Sequence, residues 1–262
     1  MSAYPRSREV QEAIGFIDLN ADLGERPGFL AEDYKIMRSV TSVNIACGFH
    51  AGDPATMFAL CERSAELEVA VGAHVSYRDR EGFGRRELEV PAEVLAADVA
   101  QQLSSLQQHA GRAGTSVRYV KPHGALYNRA ARDLSVAEAV AVGVIASGAS
   151  LPLLCPPDSM LALAATAQGL EAVYEGFVDR AYCADGSLAP RSTEGALLGR
   201  EASLLQGLAL ATGNPVATAS GRWLSLPVRS LCLHSDSPGA ATLAAALRAA
   251  LEGAGQTVRA FT

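Results

Sequence analysis

The sequence has few lysines, no paired-cysteine spacing and no long apolar run. Its five cysteines are odd in number and none forms a CxxC pair, which excludes a disulfide framework and a zinc–thiolate site and predicts reduced thiols. Residues 139–155 carry no charge, but Gly143, Gly148 and Pro152 interrupt them, and they are shorter than the roughly 20 apolar residues of a membrane helix. We therefore predict no membrane-spanning segment.

Clusters of positive charge are also absent. The formal net charge is -6, which argues against nucleic acid or an anionic membrane surface as a partner. Residues 1–14 have no apolar core of the kind that a secretory signal needs, and we expect them to form a flexible extension of a cytoplasmic protein. The remainder, residues 15–262, contains no linker, repeat or low-complexity tract, so we expect a single domain there.

Short apolar runs alternate with longer segments rich in alanine and leucine, a pattern typical of a parallel sheet wrapped by helices. The predicted strands are 16–20, 42–46, 70–73, 117–121, 151–154, 172–175 and 230–234. The predicted helices are 32–38, 54–67, 91–113, 136–146, 159–167, 194–211 and 239–251. Segments 77–86, 179–190 and 214–225 fit neither period, so we expect loops or a small hairpin over one end of the sheet.

Polar side chains follow the apolar runs at six places along the chain. The segments are IDLNADLG, NIACGFHAGD, VGAHVSY, YVKPHGALY, FVDRAY and LCLHSD. In the first, Asp18, Asn20 and Asp22 alternate, so an extended backbone points all three to one face. Because six separate strands end in this way, we predict the mouth of a closed barrel, with a site at the carboxyl ends of its strands.

Each of these residues, taken singly, also has a structural explanation. A lone histidine such as His74 is more often a hydrogen-bonded structural residue. Asp22 is compatible with a turn and Asp53 with a helix N-cap. Cys47 fits a small buried residue better than a nucleophile, since no base stands next to it in the sequence. The joint placement at strand ends is what favours a functional site.

Lys121 stands out because, of the 22 basic residues, only Lys35 and Lys121 are lysines. A lysine at the end of an apolar strand, in a chain that otherwise uses arginine, favours a need for a compact ammonium group. We expect Lys121→Met to abolish activity with little change in stability. The GFGRR segment adds two neighbouring guanidiniums, Arg85 and Arg86, which suit either an anionic substrate or ordinary surface ion pairs.

No short motif fixes a nucleotide or a metal. GxxxxGK[ST] does not occur, and no glycine-rich segment has the strand-then-helix setting of a dinucleotide site. A ring of Asp and His residues around an open position suits a divalent metal, but neither HxxxH nor HExxH occurs. We therefore assign no metal ligand and leave a divalent metal as an open alternative.

Several motifs, taken in order, resemble the LamB/YcsF family. They are IDLNADLGE, TSVNIACGFHAGDP, GAH, GFGRR, VKPHGALYN, DRAY with ADGSL, and HSDSPGA. The resemblance implies a distorted (β/α)7 TIM-like barrel of the glycoside hydrolase/deacetylase type. The family is associated with the A-type subunit of the bacterial ATP-dependent 5-oxoprolinase, so the resemblance also implies cleavage of 5-oxo-L-proline to L-glutamate, coupled to ATP hydrolysis, alongside two further subunits of B and C type.

In that reaction, phosphorylation of the lactam oxygen would create a leaving group, and water would attack the ring carbon. The candidate catalytic residues are the bases Asp18, Asp22, His50 and His74 and the cations Lys121 and His123. The candidate substrate-binding residues are Asn20, Asn44, Arg86, Arg180, His234 and Asp236, with Arg86 or Arg180 on the substrate carboxylate.

ATP is the expected cofactor, bound on this chain or shared with the partner subunits. A homo-oligomer is compatible with the sequence. Two other functions stay open: a metal-dependent amidohydrolase or carbohydrate deacetylase, and a non-catalytic subunit that only binds a carbonyl-containing ligand.

Overall fold

A computed structural model describes residues 15–236 and 239–262. Its strands are β1 (Asp18–Leu23), β2 (Ser42–Ala46), β3 (Ala70–Val75), β4 (Val117–Pro122), β5 (Leu153–Cys155), β6 (Ala172–Phe177), β7 (Val216–Ala217), β8 (Trp223–Leu224) and β9 (Ser230–His234). All except β7 and β8 run parallel and form a closed barrel in the order β1-β2-β3-β4-β5-β6-β9, with β9 paired to β1. The two short strands β7 and β8 form a separate antiparallel pair.

Helices surround the barrel and connect its strands. In the described residues they are α1 (Leu30–Met37), α2 (Pro54–Leu67), α3 (Ala92–Arg112), α4 (Gly124–Ala130), α5 (Leu134–Ala146), α6 (Met160–Ala167), α7 (Arg200–Ala211) and α8 (Ala240–Gly253). The predicted α/β barrel and its single-domain architecture are confirmed. Within residues 15–236 and 239–262 no helix is long and apolar enough to cross a membrane. The predicted extension, residues 1–14, lies outside the described residues.

The apolar core lies between the strands and the helices, and the interior of the barrel is polar. Successive side chains of a strand point to opposite faces, so Leu19 and Leu23 of β1 join the main apolar core. The alternate residues of the same strand, Asp18, Asn20 and Asp22, are buried among polar side chains from other strands. This confirms the predicted alternation. Many barrels of this kind fill their interior with branched apolar residues, so the polar interior marks where function is concentrated.

Most predicted boundaries lie close to the observed ones, and the departures have local causes. β2 and β9 match the prediction at both ends, whereas β1 extends to residue 23 and so includes Asp22. Helix α7 begins at residue 200 instead of 194, because Gly195 has a φ of 76° that a right-handed helix cannot accommodate. Helix α4 was not predicted, since Pro122 and Gly124 both indicate an interruption, yet the helix begins at Gly124.

The loop after β2 returns the chain to the barrel mouth. Gly52 has a φ of 80°, and a Cβ there would lie 2.6 Å from the carbonyl oxygen of Ala46, so only glycine fits. Asp53 accepts a hydrogen bond from the backbone N–H of Thr56 at 2.9 Å, which confirms its prediction as the N-cap of α2. This tight return leaves His50 buried beneath the mouth.

Candidate active site

Several of the polar residues predicted from the strand ends line one cavity of about 270 Å³ at the carboxyl end of the barrel, and the others lie outside its lining. The barrel strands and the segments that follow them contribute Asp22, Glu25, His74, Lys121, His123, Phe177 and His234 to its lining. The rim and the far wall include Arg85, Tyr127, Arg180 and Arg191. In the strand register Asp22 lies opposite His234, and His74 lies opposite Lys121. The two pairs meet where His74 Nε2 lies 3.4 Å from Asp22 Oδ2.

Lys121 lies at the centre of the cavity floor. Its Nζ donates to Asp22 Oδ1 and to Cys232 Sγ, at 3.0 Å each, and lies 3.0 Å from Glu175 Oε1. Burial alone would lower the pKa of Lys121, but the carboxylates of Asp22 and Glu175 outweigh it and hold the pKa well above its usual value. These contacts favour the charged ammonium form of Lys121, and the thiol is the weakest acceptor around it.

Two asparagine side chains hold the carboxylates next to Lys121. Asn44 Nδ2 donates to Asn20 Oδ1 and to Asp22 Oδ1, at 2.7 Å each. Asn20 Nδ2 donates to Glu175 Oε1 at 2.9 Å and to Ser230 Oγ at 2.7 Å. Both asparagines are fully buried and neither lines the cavity. We predicted that both asparagines contact the substrate directly. Their position instead favours a role in orienting the carboxylates.

Asp18 lies one level deeper in the barrel. Its carboxylate accepts hydrogen bonds from Thr41 Oγ1 and Ser42 Oγ, at 2.6 Å each, and from Ser230 Oγ. Burial raises the pKa of Asp18 to about 6, even though these hydroxyl groups donate to the charged form. Asp18 does not line the cavity. Its position therefore favours a structural role beneath the cavity floor, and not the role of general base that we predicted.

Three histidines and one glutamate form a buried group beside the floor, here named the His–Glu cluster (Glu25, His50, His74 and His123). One nitrogen or oxygen atom from each of the four lies within 4.8 Å of the others. The rings of His50 and His123 stack with their centroids 3.8 Å apart, and His74 stands perpendicular to both. These atom types are those that hold divalent transition metals in proteins.

Charge is distributed unevenly within the His–Glu cluster. Burial and the neighbouring His123 lower the pKa of His50 to about 3. Burial also acts to lower the pKa of His74, but Asp22 and Glu25 overcome it and raise the pKa to about 9. His74 therefore takes a proton more readily than His50 does.

His234 lies on the opposite wall of the cavity and pairs with Asp179. Its Nδ1 lies 2.9 Å from Asp179 Oδ1, and its backbone N–H donates to Asp179 Oδ2 at 3.0 Å. Burial would lower the pKa of His234, but Asp179 outweighs it and raises the pKa. The imidazole stacks on Phe177, with ring centroids 5.6 Å apart, so its position in the cavity wall is fixed.

The predicted basic residues separate into two groups. Arg180 lines the cavity, whereas the guanidinium of Arg86 binds Asp79 through Nε at 2.8 Å and does not line it. Its neighbour Arg85 lines the rim instead. Asp236, predicted to bind substrate, accepts from Arg85 at 2.7 Å and from Arg191 at 3.1 Å, so it positions those two arginines at the rim.

Three carboxylates of this site were not singled out in the sequence. Glu25 ends the IDLNADLGE motif, Glu175 lies inside β6 and Asp179 belongs to the FVDRAY segment. Glu175 and Asp179 carry a signal that could have identified them, since an acidic residue in or directly after an apolar strand is costly to bury without a partner. Glu25 follows a turn at Gly24, and nothing in the local pattern shows that its side chain returns to the barrel.

Comparisons with known proteins agree with this architecture. The A-type subunit of 5-oxoprolinase from Streptomyces coelicolor is 50% identical over 248 residues, which cover 94% of this chain and 99% of that protein. The crystal structure of a lactam utilization protein from Thermus thermophilus superposes with a TM-score of 0.86 and 38% identity, over 94% of this chain and 100% of that chain.

A more distant structure shares the fold alone. The catalytic domain of a peptidoglycan N-acetylglucosamine deacetylase from Eubacterium rectale superposes with a TM-score of 0.51 and 12% identity, over 95% of this chain and 89% of that chain. Residues 17–262 match the family model of LamB/YcsF. From this match and the 50% identity to a relative over 94% of this chain, the chain belongs to the LamB/YcsF family.

Proposed function

We propose that this chain is the subunit of a 5-oxoprolinase that opens the lactam ring of 5-oxo-L-proline to give L-glutamate, in a complex with two further subunits. Family membership, the 50% identity to a protein named as the A-type subunit of 5-oxoprolinase and the likeness to a lactam utilization protein support the proposal. The observation on this chain that carries it is the buried ammonium of Lys121, which lies on the cavity floor against Asp22.

The chemistry of ring opening suits the groups on this floor. Water adds to the ring carbon of the phosphorylated lactam and forms one C–O bond. The ring C–N bond then breaks as the nitrogen takes up protons, which leaves an acyl phosphate, and a second water cleaves this acyl phosphate to glutamate and phosphate. The phosphorylated oxygen carries negative charge, and Lys121 stabilises that charge once the oxygen replaces the weakly bound Cys232 thiol. Asp22, which lines the cavity at 3.0 Å from the ammonium, accepts the first proton from the attacking water.

Unpartnered donors on the cavity wall suit the rest of the substrate. Among the described residues, Arg180 Nε and the Tyr127 hydroxyl are buried and have no hydrogen-bond partner, and both residues line the cavity. Arg191 lies beside them on the rim. A guanidinium binds a carboxylate through paired hydrogen bonds, so the carboxylate of 5-oxoproline binds Arg180 and Arg191 in this proposal, with the lactam ring towards Lys121.

ATP is assigned to the partner subunits in this proposal. The sequence has no GxxxxGK[ST] segment to grip a triphosphate, and the floor of the cavity is equipped for attack on an activated carbonyl. The five cysteines of the chain are all free, which fits a protein that works in the reducing cytoplasm. The two partners therefore supply a phosphorylated lactam, and this chain hydrolyses it.

Reconstitution tests the proposal. The isolated chain should release no glutamate from 5-oxoproline with or without ATP, whereas the chain mixed with the B- and C-type subunits should release glutamate in an ATP-dependent manner. Omission of this chain from the mixture should stop glutamate formation. Turnover by the isolated chain with ATP would show that the phosphoryl step lies here, and turnover by the two partners alone would contradict the proposed hydrolytic role.

A carbohydrate deacetylase is the second candidate, and the His–Glu cluster is the observation that favours it. Deacetylation would also use attack on a planar amide carbonyl, with a metal to polarise it. The same preparation, offered N-acetylglucosamine oligomers instead of 5-oxoproline, distinguishes the two functions. Release of acetate that stops on chelation would replace the lactam proposal.

A further inference from the structure

The four residues of the His–Glu cluster direct their side-chain atoms to one point. Glu25 Oε1 lies 3.2 Å from His50 Nε2, 3.5 Å from His74 Nε2 and 3.1 Å from His123 Nδ1. His74 Nε2 and His123 Nδ1 are 3.0 Å apart. All four side chains are buried, so these contacts are not shared with bulk water.

Backbone carbonyls fix the tautomers of two of the rings. His74 Nδ1 lies 3.1 Å from the carbonyl oxygen of Lys121, and His123 Nε2 lies 2.9 Å from that of Phe83. A carbonyl oxygen only accepts hydrogen bonds, so each of these nitrogens carries the hydrogen and donates it. In the neutral ring the other nitrogen, which faces Glu25, then presents a lone pair.

A serine fixes the third ring in the same way. His50 Nδ1 lies 2.8 Å from Ser76 Oγ, and the hydroxyl hydrogen of Ser76 is donated to the carbonyl oxygen of Tyr77 at 3.0 Å. The oxygen of Ser76 is therefore left to accept from His50 Nδ1. His50 Nε2 then faces Glu25 with its lone pair, like the nitrogens of the other two rings.

When the three rings are neutral, three imidazole lone pairs and one carboxylate oxygen therefore converge, and a proton that His74 holds in the metal-free chain would leave as an ion binds. We infer that Glu25, His50, His74 and His123 form a binding site for a divalent first-row transition metal ion of the Zn²⁺ type. Neutral imidazoles whose second N–H is held by a carbonyl or hydroxyl are the usual arrangement of histidine ligands. Mg²⁺ and Ca²⁺ are disfavoured, because they prefer sites built from oxygen alone.

The spacing of the atoms agrees with such an ion. Four ligands at about 2.1 Å from a tetrahedral centre are about 3.4 Å from one another, and the four contacts within the cluster run from 3.0 to 3.5 Å. All ligand atoms of the cluster lie within 4.8 Å of one another, so any longer separation closes by a small inward movement of the side chains onto the ion.

The cluster is accessible from two sides. Glu25, His74 and His123 line the cavity that holds Lys121. Glu25 and His50 line a second cavity of about 160 Å³ behind the first. An ion can thus enter without unfolding of the barrel, and once bound it faces the substrate cavity, where expansion of its coordination would let it hold an oxygen of a ligand.

A proton shared between His74 and His123 is the competing explanation for their short contact, and a metal titration separates the two. The untagged full-length chain is treated with a chelator, dialysed and titrated with Co²⁺ and Zn²⁺, with millimolar Mg²⁺ as competitor. We expect one ion per chain, a visible Co²⁺ absorption band of the tetrahedral type, and no displacement by Mg²⁺. A folded chain that binds neither ion stoichiometrically would overturn the inference.

Variants locate the site. Glu25→Gln and His123→Gln should each weaken Co²⁺ binding by more than about 10-fold. Ser76→Ala keeps all four ligands and removes only the group that orients His50, so it should weaken binding by about 10- to 100-fold without loss of the fold. His109→Asn, on helix α3 outside the cluster, is the matched control and should bind as the natural chain does.

Equal Co²⁺ binding by Glu25→Gln, His123→Gln and the natural chain would place the ion elsewhere and refute the site. These measurements need neither 5-oxoproline nor partner subunits. Their failure would leave the proposed lactam hydrolysis standing, and failure of the reconstitution would leave the metal site standing.

Discussion

Replacement of Lys121 by methionine should cost the protein both activity and stability. The ammonium lies 3.0 Å from the carboxylates of Asp22 and Glu175, and the Lys121 side chain is only 2% exposed. Methionine leaves these two carboxylates without their buried cation, and breaking a buried ion pair typically costs about 3–5 kcal/mol. For a domain of this size that corresponds to a fall in melting temperature of roughly 6–20 °C. From the buried ion pairs we therefore predict a larger loss of stability than we expected from the sequence alone.

Calorimetry of the isolated chain measures this loss, and glutamate release by the reconstituted complex measures the activity. Loss of a preorganised cation next to the phosphorylated oxygen should lower the rate by about 10²- to 10³-fold or more. The double variant Lys121→Met with Glu175→Gln removes one of the two stranded charges, so it should recover part of the melting temperature and none of the activity. Lys121→Arg should rescue poorly, since a planar guanidinium does not fit an ammonium site.

Two outcomes would refute this account of Lys121. A methionine variant that melts within about 2 °C of the natural chain would show that the buried ion pairs of Lys121 contribute little to stability. Full activity of the arginine variant would show that a compact point charge is not what the reaction needs.

Two further predictions follow from charge. The pKa of Asp18 is raised from 3.8 to about 6 in the folded chain, so the folded state holds this proton more tightly than the unfolded state does. The stability that the proton contributes at low pH is therefore lost as the pH rises from about 4 to 6. Urea titrations should show that the free energy of unfolding of the natural chain falls by about 3 kcal/mol more over this range than that of Asp18→Asn. Arg191→Gln should raise the KM for 5-oxoproline of the complex by about 10-fold or more, whereas Arg86→Gln should not change it; equal effects would remove the rim from the binding site.

The fold could be predicted because its signals are local. The apolar run of β2 and the N-cap at Asp53 each show, within a few residues, where a strand or helix lies. Repeated alternation of strand and helix then leaves few topologies other than a parallel barrel or an open parallel sheet. Departures occurred where a short-range signal has two interpretations. Pro122 and Gly124 indicate an interruption, and the start of a helix satisfies that signal as well as a loop does.

The site could be predicted in part, for a different reason. The strand-end position of Lys121, His74 and His234 follows from the chain itself, and the cavity brings them together. The sequence does not show that Asn20 and Asn44 are buried below the cavity. The depth of a residue in the barrel depends on how far its strand extends, which the local pattern does not give. Partner choice depends on rotamers and on the return of distant loops, which is why the binding of Arg86 to Asp79 and the return of Glu25 could not be predicted.

The division of labour between this chain and its partners is the central claim, and one variant tests it most directly. Asp22→Asn keeps the shape of the side chain and removes the proposed base. In the reconstituted complex with ATP and 5-oxoproline, we predict rapid formation of about one ADP per complex, a phosphorylated lactam detectable by phosphorus NMR, and no glutamate. If the Asp22→Asn complex instead forms glutamate at the natural rate, or forms neither ADP nor the phosphorylated species while its subunits stay folded and assembled, the account of hydrolysis on this floor is contradicted.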